Sequence, residues 1–163
     1  MKGHLTMTKD ELGTLVMSLQ DRIYRVARAV LHHRGDEEEA ISEMIVQAFA
    51  NLDSLREDRY AETWLIRILV RECFKILRQR GRVTCMDDLS YVSQEESVEG
   101  QDYSDLYEAV DRLPAEQQLA VTLYYSEGYR TSEIARITEV SENTVKSRLR
   151  LAREHLRHDL MEE

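Results

Sequence analysis

The sequence predicts an all-α protein of two small helical domains joined by a flexible acidic linker, the C-terminal domain containing a helix-turn-helix. Three observations carry this. Charged residues make up 33% of the chain and aromatics 7%, with one proline, Pro114, a composition rich in Leu, Arg, Glu and Ala that favours helices. Apolar residues recur at helical spacing in two separate stretches. Between those stretches lies an acidic segment with no helical period. At 163 residues the chain has room for one medium domain or two small ones.

The first helix is expected to open on a capping box, with Thr8 followed three residues later by Glu11. Its apolar positions are Leu12, Leu15, Val16, Leu19, Ile23, Val26, Ala27 and Val30. Arg34-Gly35 should end it, Gly35 being free to turn left-handed. Asp36 then suits the cap of a second helix, and Glu37, Glu38 and Glu39 suit the positive end of its dipole. That helix carries Ala40, Ile41, Met44, Ile45, Ala48, Phe49 and Leu52 on its apolar face. The polar stretch Asp53–Arg59 reads as a loop.

A third helix is expected from about Ala61 to Arg80. Trp64, Leu65, Ile68, Leu69, Cys73, Ile76 and Leu77 form one broad apolar face, extended by Ile66, Val70 and Phe74. Its chief polar stripe is basic: Arg67, Arg71, Lys75 and Arg78. Three helices sharing a core account for a first domain over residues 8–81, which Gly81 should close. Residues 82–104 read as the linker. In the second domain, residues 105–160, Leu106, Val110 and Leu113 give a short amphipathic helix. Pro114 fits the first position of the next, whose face of Leu119, Ala120, Leu123 and Tyr124 runs to a stop at Gly128.

The net charge is −9, which taken alone argues against a nucleic-acid partner. The charge is segregated, however. From Arg67 to Arg82 there are six basic residues against one acid, and from Val83 to Asp111 nine acids without a lysine or arginine. Tyr129 to His158 returns to a basic excess. Such a chain repels DNA at long range and still presents two local basic surfaces, as a DNA reader working within a larger complex would.

Thr131 to Leu149 supplies the parts of a helix-turn-helix. Ile134 and Ile137 should face the core, and Ala135 is small enough for the second helix to pass close by. Val140 packs the turn, and Ser141 caps the second helix. Val145, Leu149, Ala152 and Leu156 form its buried stripe. The other faces hold Glu142, Asn143, Thr144, Lys146, Ser147, Arg148, Arg150 and Arg153. Early positions on such a helix reach base edges and later arginines hold phosphates, so Asn143, Lys146, Ser147 and Arg150 are the groove candidates. The turn position often filled by glycine is Glu139, which carries strain if its backbone is left-handed. A packed helical hairpin with a solvated basic face is the plainer reading of the same residues.

Those motifs and their neighbours form a continuous run: Leu113-Pro114, Leu123-Tyr124-Tyr125 to Gly128, Glu133-Ile134-Ala135, Ser141, and Thr144 through Leu149. The run resembles the fourth domain of bacterial sigma factors, specifically the small extracytoplasmic-function (ECF) group. There this domain reads the minus-thirty-five promoter element. Asp36 through Phe49 resembles the family's helix that docks on the polymerase clamp, although Ser42 and Ile45 replace the usual Gln and Phe. Thr63-Trp64-Leu65-Ile66-Arg67-Ile68 is similar to the region that melts and reads the minus-ten element. Arg71 and Lys75 stand where Asn and Asp are usual, which leaves the exact minus-ten sequence open. The resemblance extends from about Leu19 to Leu156.

The resemblance implies a non-catalytic subunit whose partners are core RNA polymerase, promoter DNA and an anti-sigma factor. Asp36, Glu38, Glu39 and Glu43 would meet the polymerase. Tyr60, Trp64, Arg67, Arg71, Lys75 and Arg78 would meet the minus-ten strand, with the arginines and the lysine on phosphates and aromatic surfaces against unstacked bases. Trp64 also reads as core, and the acid cluster also reads as helix-dipole compensation. The alternative is a stand-alone helix-turn-helix regulator, for which no dimerisation helix or ligand domain is evident.

No cofactor is expected. Gly-rich phosphate loops and nucleophilic triads are absent from the sequence. His155 and His158 lack an obvious third metal ligand, and Cys73 and Cys85 read as reduced thiols. No apolar run reaches membrane-spanning length, and Met1–Lys9 lacks the apolar core of a secretory signal, so a cytoplasmic location is expected.

Overall fold

The computed structural model describes residues 7–83 and 104–161. The linker expected over 82–104 therefore lies almost wholly outside the described residues, as does Cys85. Among the described residues the chain is helical and no strand occurs.

Helix α1 (Lys9–Ser18) opens on the expected capping box: Thr8 accepts from the Glu11 amide at 3.1 Å and Glu11 accepts from the Thr8 amide at 2.9 Å. The single first helix of the sequence reading is in fact two. The chain breaks at Leu19, whose φ of −100° and ψ of 11° leave the helical region, and α2 (Gln20–Leu31) follows. Apolar spacing is blind to such a break because Leu12, Leu15, Val16, Ile23 and Val26 face one core on both sides of it. The stop is also earlier than expected. His32, with φ 54°, takes the left-handed position, and His33 caps α3 (Arg34–Ala50) by accepting from the Asp36 amide at 3.3 Å. Gly35 and Asp36 lie inside the first turn of α3 rather than at its border.

Two single 3₁₀ turns, Leu52–Ser54 and Asp58–Tyr60, fill the expected loop. Helix α4 (Ala61–Val83) then runs through Gly81 without stopping there. Leu65, Ile66 and Leu69 are fully buried along it. Helices α2, α3 and α4 pack against one another.

The second half consists of α5 (Ser104–Asp111), α6 (Ala115–Val121), a π turn (Thr122–Ser126), α7 (Thr131–Thr138) and α8 (Glu142–Met161). Pro114 precedes α6 as its N-cap, one position earlier than expected. Gly128, with φ 78°, turns the chain out of the π segment, a conformation that costs glycine nothing. The buried Leu119, Leu123, Ile134, Ile137, Val145 and Leu149 hold this half together.

The two halves are not separate bodies. Helix α2 packs on α6 and the π turn, α4 packs on α7, and one apolar cluster runs from Leu12 and Leu65 through to Ile134 and Val145.

Candidate nucleic-acid interface

Helices α7 and α8 form the helix-turn-helix, and its caps explain why it forms here. The Glu133 carboxylate reaches back to accept from the Arg130 amide at 2.9 Å. Ser141 accepts from the Thr144 amide at 3.1 Å, the N-cap bond expected of it. Ile134, Ile137, Val145, Leu149 and Ala152 are buried, while Leu156 at the far end is half-buried. Thr131 donates to the Glu142 carboxylate at 2.6 Å, which ties the start of α7 to the start of α8.

Glu139 occupies the turn with φ 61° and ψ 42°, the left-handed conformation that glycine adopts freely. For a residue with a Cβ this costs about 1–2 kcal/mol.

On α8, Glu142, Asn143, Lys146, Ser147, Arg150 and Arg153 are exposed, and Thr144 and Arg148 are half-buried. Positions 143, 146, 147 and 150 are three and four residues apart and share a face. Arg150 lies 3.3 Å from Glu154, and Arg153 donates to the Tyr125 hydroxyl at 3.0 Å, so this later arginine is already tied to its own domain.

The second surface is the start of α4 and the turn before it. Tyr60, Trp64 and Arg67 line an open cavity of about 370 Å³ together with Arg56, Thr63 and Arg136. Trp64 is largely buried, so it serves both as core and as cavity wall. Tyr60 is exposed, and its ring carries the Arg59 guanidinium at 4.8 Å and that of Arg136 at 5.6 Å. The Arg67 Nε is buried with no hydrogen-bond partner among the described residues. Arg71 pairs with Glu139 at 2.6 Å, Lys75 pairs with Glu72 at 3.5 Å, and Arg78 is exposed. The basic stripe is thus present, but its middle is engaged.

Of the candidate docking acids, Asp36 is buried and held by Arg80 at 2.5 Å, an internal tie between α3 and α4. Glu38 and Glu39 are exposed, and Glu43 is half-buried beside Gln47. Burial pushes the Cys73 thiol well up, which keeps it protonated and unreactive. His155 hydrogen-bonds Gln117 at 2.9 Å.

Sequence reasoning missed the residues that join the halves. Glu127 is a buried carboxylate whose side chain is wholly inaccessible. Arg22 reaches it at 3.0 Å and Arg25 at 2.6 Å. Burial raises the Glu127 carboxyl, but hydrogen bonds from Arg25, Ser126 and Arg22 outweigh that and hold it below its ordinary value. Arg22 also binds Glu62 and lies 3.3 Å from the Tyr129 hydroxyl, which donates to Glu62 at 2.8 Å. Burial, with Glu62 beside it, pushes the Tyr129 hydroxyl up. Arg136 was missed for the same reason: its cavity belongs to the other domain.

A helix-turn-helix on one domain and a basic, aromatic-lined face on the other are the parts of a bipartite DNA-binding protein. Comparison with known proteins identifies which one. The sigma-70 region 2 model matches residues 15–83 and the sigma-70 region 4 model matches residues 103–156. RNA polymerase sigma factor SigV of Bacillus subtilis (strain 168) is 30% identical over 158 residues, spanning 96% of this chain and 95% of that one. ECF RNA polymerase sigma factor SigM of Mycobacterium tuberculosis is 30% identical over 136 residues, 83% of this chain and 69% of that one. Two solved structures share the fold. Sigma factor RpoE from Bartonella quintana, in complex with the anti-sigma factor NepR, aligns with a TM-score of 0.76 at 23% identity, covering 94% of this chain and 98% of that one. CnrH, in complex with the cytosolic domain of CnrY, aligns with a TM-score of 0.67 at 21% identity, covering 94% and 89%.

The chain belongs to the sigma-70 family of RNA polymerase sigma factors, in its extracytoplasmic-function group. Its function is promoter-directed transcription initiation with RNA polymerase, and the stand-alone regulator is not favoured. Among the described residues no helix is long and apolar enough to cross a membrane.

Proposed function

We propose that the chain reads a two-element promoter with the two surfaces described above, while bound to core RNA polymerase in the cytoplasm and without catalytic activity of its own. The domain over 8–81 engages the polymerase and the minus-ten element, residues 82–104 connect, and the domain over 105–160 reads the minus-thirty-five element. In the duplex groove, Asn143, Lys146, Ser147 and Arg150 face the bases, and Glu142, Thr144, Arg148 and Arg153 flank them. On the opened strand, Tyr60 and Trp64 offer surfaces to unstacked bases, and Arg67, Arg71, Lys75 and Arg78 hold phosphates. Glu38, Glu39 and Glu43 present the acidic docking surface, and Asp36 supports it from within. An anti-sigma protein is a further partner, as NepR is for the structural neighbour RpoE.

The observation that carries this reading is the exposed face of α8. Asn143, Lys146, Ser147 and Arg150 stand together, solvent-facing, on the second helix of a capped helix-turn-helix. Transcription in vitro with core RNA polymerase on a genomic template tests it. Discrete start sites preceded by a shared two-element sequence are expected. Tight operator binding without polymerase, and no association with core enzyme, would refute it.

A further inference from the structure

We propose that the Tyr125 hydroxyl is a DNA contact of the second domain, donating to the same backbone phosphate that the Arg153 guanidinium holds. This rests on the reading of α8 as the groove helix. Three observations around the Tyr125–Arg153 pair carry the inference.

First, the pair stands at a margin of α8. Arg153 is exposed and follows Lys146 by seven residues and Arg150 by three, so it borders the groove face. It also follows the buried Leu149 by four, which puts it beside the face packed on the domain. On a helix lying in the major groove, such a border, late in the helix, meets the phosphate backbone. Tyr125 comes to it from the π turn, 28 residues earlier in the chain. That widened turn is closed by the Glu127 amide, which donates to the Thr122 carbonyl at 2.9 Å. It leaves Leu123 fully buried and Tyr124 and Tyr125 exposed.

Second, the bond between the two leaves both able to bind an anion. Arg153 donates through one Nη to the Tyr125 hydroxyl at 3.0 Å, and the guanidinium has further N–H donors to offer. Among the described residues Arg153 has no carboxylate partner, whereas Arg150 lies 3.3 Å from Glu154. The phenol thus holds the arginine without cancelling its charge, as a carboxylate would. Because the hydroxyl accepts from Arg153, its own proton points elsewhere, and no acceptor for it is present among the described residues. Donation by Arg153 also polarises that O–H and strengthens it as a donor. One N–H of the arginine and the O–H of the tyrosine can therefore meet two oxygens of one phosphate.

Third, Tyr125 is both exposed and braced. Its exposure is 57%, so packing accounts for little of its presence at this position. The Tyr124 ring meets it edge to face, with centroids 4.9 Å apart and planes at 89°. A stiff ring held by an aromatic neighbour and by Arg153 loses little freedom when its hydroxyl engages a ligand. The contact is sequence-independent: it fixes how α8 sits on the duplex and leaves the reading of bases to Asn143, Lys146, Ser147 and Arg150.

The test is binding of holoenzyme, assembled from core RNA polymerase and the full chain, to labelled promoter fragments at several salt concentrations. The fragments carry start sites that the wild-type holoenzyme uses. The variants are Tyr125→Phe, Arg153→Ala, the two combined, and Tyr125→Glu, with urea unfolding of each free chain checking the fold. Tyr125→Phe should bind about tenfold more weakly on every fragment, because one hydrogen bond to a charged group is lost. Its salt slope and its stability should stay unchanged, because no charge and no packing are removed. In the Arg153→Ala background the same change should cost about twofold at most, since the two donors share one phosphate. Tyr125→Glu should cancel the arginine and reduce the salt slope by about 1, as Arg153→Ala does. Wild-type affinity for Tyr125→Phe, a loss of the same size in both backgrounds, or a loss matched by lowered stability each overturns the shared phosphate contact. So does an unchanged slope for Tyr125→Glu. If Arg153→Ala and Lys146→Ala/Arg150→Ala also bind like the wild type, the reading of α8 falls with it. If those two weaken binding, only the Tyr125 contact falls.

Discussion

Arg25 grips Glu127 by two parallel hydrogen bonds, Nε to one carboxylate oxygen at 2.6 Å and Nη2 to the other at 2.9 Å, across 102 residues of chain. A planar guanidinium fork on a carboxylate is the strongest geometry such a pair has. Here it joins the first domain to the second, and its carboxylate end is buried.

That pair makes the fold acid-sensitive in a defined direction. The Glu127 carboxyl is held below its ordinary value in the folded chain. In the window between its folded and unfolded values the unfolded chain therefore binds more protons, and stability rises with pH there. The contribution is complete above the ordinary glutamate value of about 4.3 and is lost as pH falls through the folded one. Thermal melts between neutral and acidic pH should show a steeper loss for the wild type than for Glu127→Gln. Parallel curves would mean the carboxylate carries no linkage.

Truncating Glu127 to alanine should destabilise more than neutralising it. The alanine variant leaves Arg22 and Arg25, both partly exposed, without their shared acceptor beside a buried gap, and losing hydrogen bonds to a charged group costs about 1.5–3 kcal/mol. Urea unfolding checks this, with Arg150→Ala as the control. Arg150 and Glu154 are exposed neighbours one turn apart on α8, and such pairs contribute about 0.3–0.5 kcal/mol.

Core and surface should separate cleanly in the first domain. Leu69 is fully buried among the helices, and Leu69→Ala should cost about 2–5 kcal/mol. Met17 is 68% exposed, and Met17→Ala should fall within about 0.5 kcal/mol of zero. Denaturant midpoints on the two variants decide it.

The α8 face should divide by type of contact. Asn143→Ala is expected to relax base preference at one position of the minus-thirty-five element by about 1–3 kcal/mol. Removal of Arg153, proposed as a phosphate contact, should instead weaken binding evenly across sequences and reduce the salt slope by about 1. Holoenzyme binding to a set of promoter variants at several salt concentrations separates the two patterns.

Much of this was legible in the sequence because the signals were local. The Thr8–Glu11 box, the Ser141 cap and the Ile134, Ile137, Val145, Leu149 stripe each need only a few neighbouring residues, and each stands where its spacing puts it. Glu139 was legible even as an anomaly, since a turn that wants glycine holds glutamate with φ 61°. The break at Leu19 was not legible, because apolar periodicity continues across it. The junction was not legible either. Nothing in the local sequence marks Arg22, Arg25, Arg136 or Glu127, the last just beyond the π turn, as a junction residue. Only the packing of α2 on the π turn and of α4 on α7 gives them partners. Asp36 misled for a related reason: an acid in a first helical turn suits the dipole, and nothing in the local sequence points to Arg80.

Helix α8 and the Tyr60–Arg71 face are proposed to form one promoter reader that acts with polymerase. Run-off transcription with core enzyme, comparing the wild type with Lys146→Ala/Arg150→Ala, is the decisive experiment. The wild type should initiate at discrete sites preceded by two sequence elements. The variant should lose initiation at those sites while still joining core enzyme, with its folded circular dichroism unchanged. Initiation by the variant at wild-type levels, or failure of the wild type to join core enzyme, would rule out such a reader.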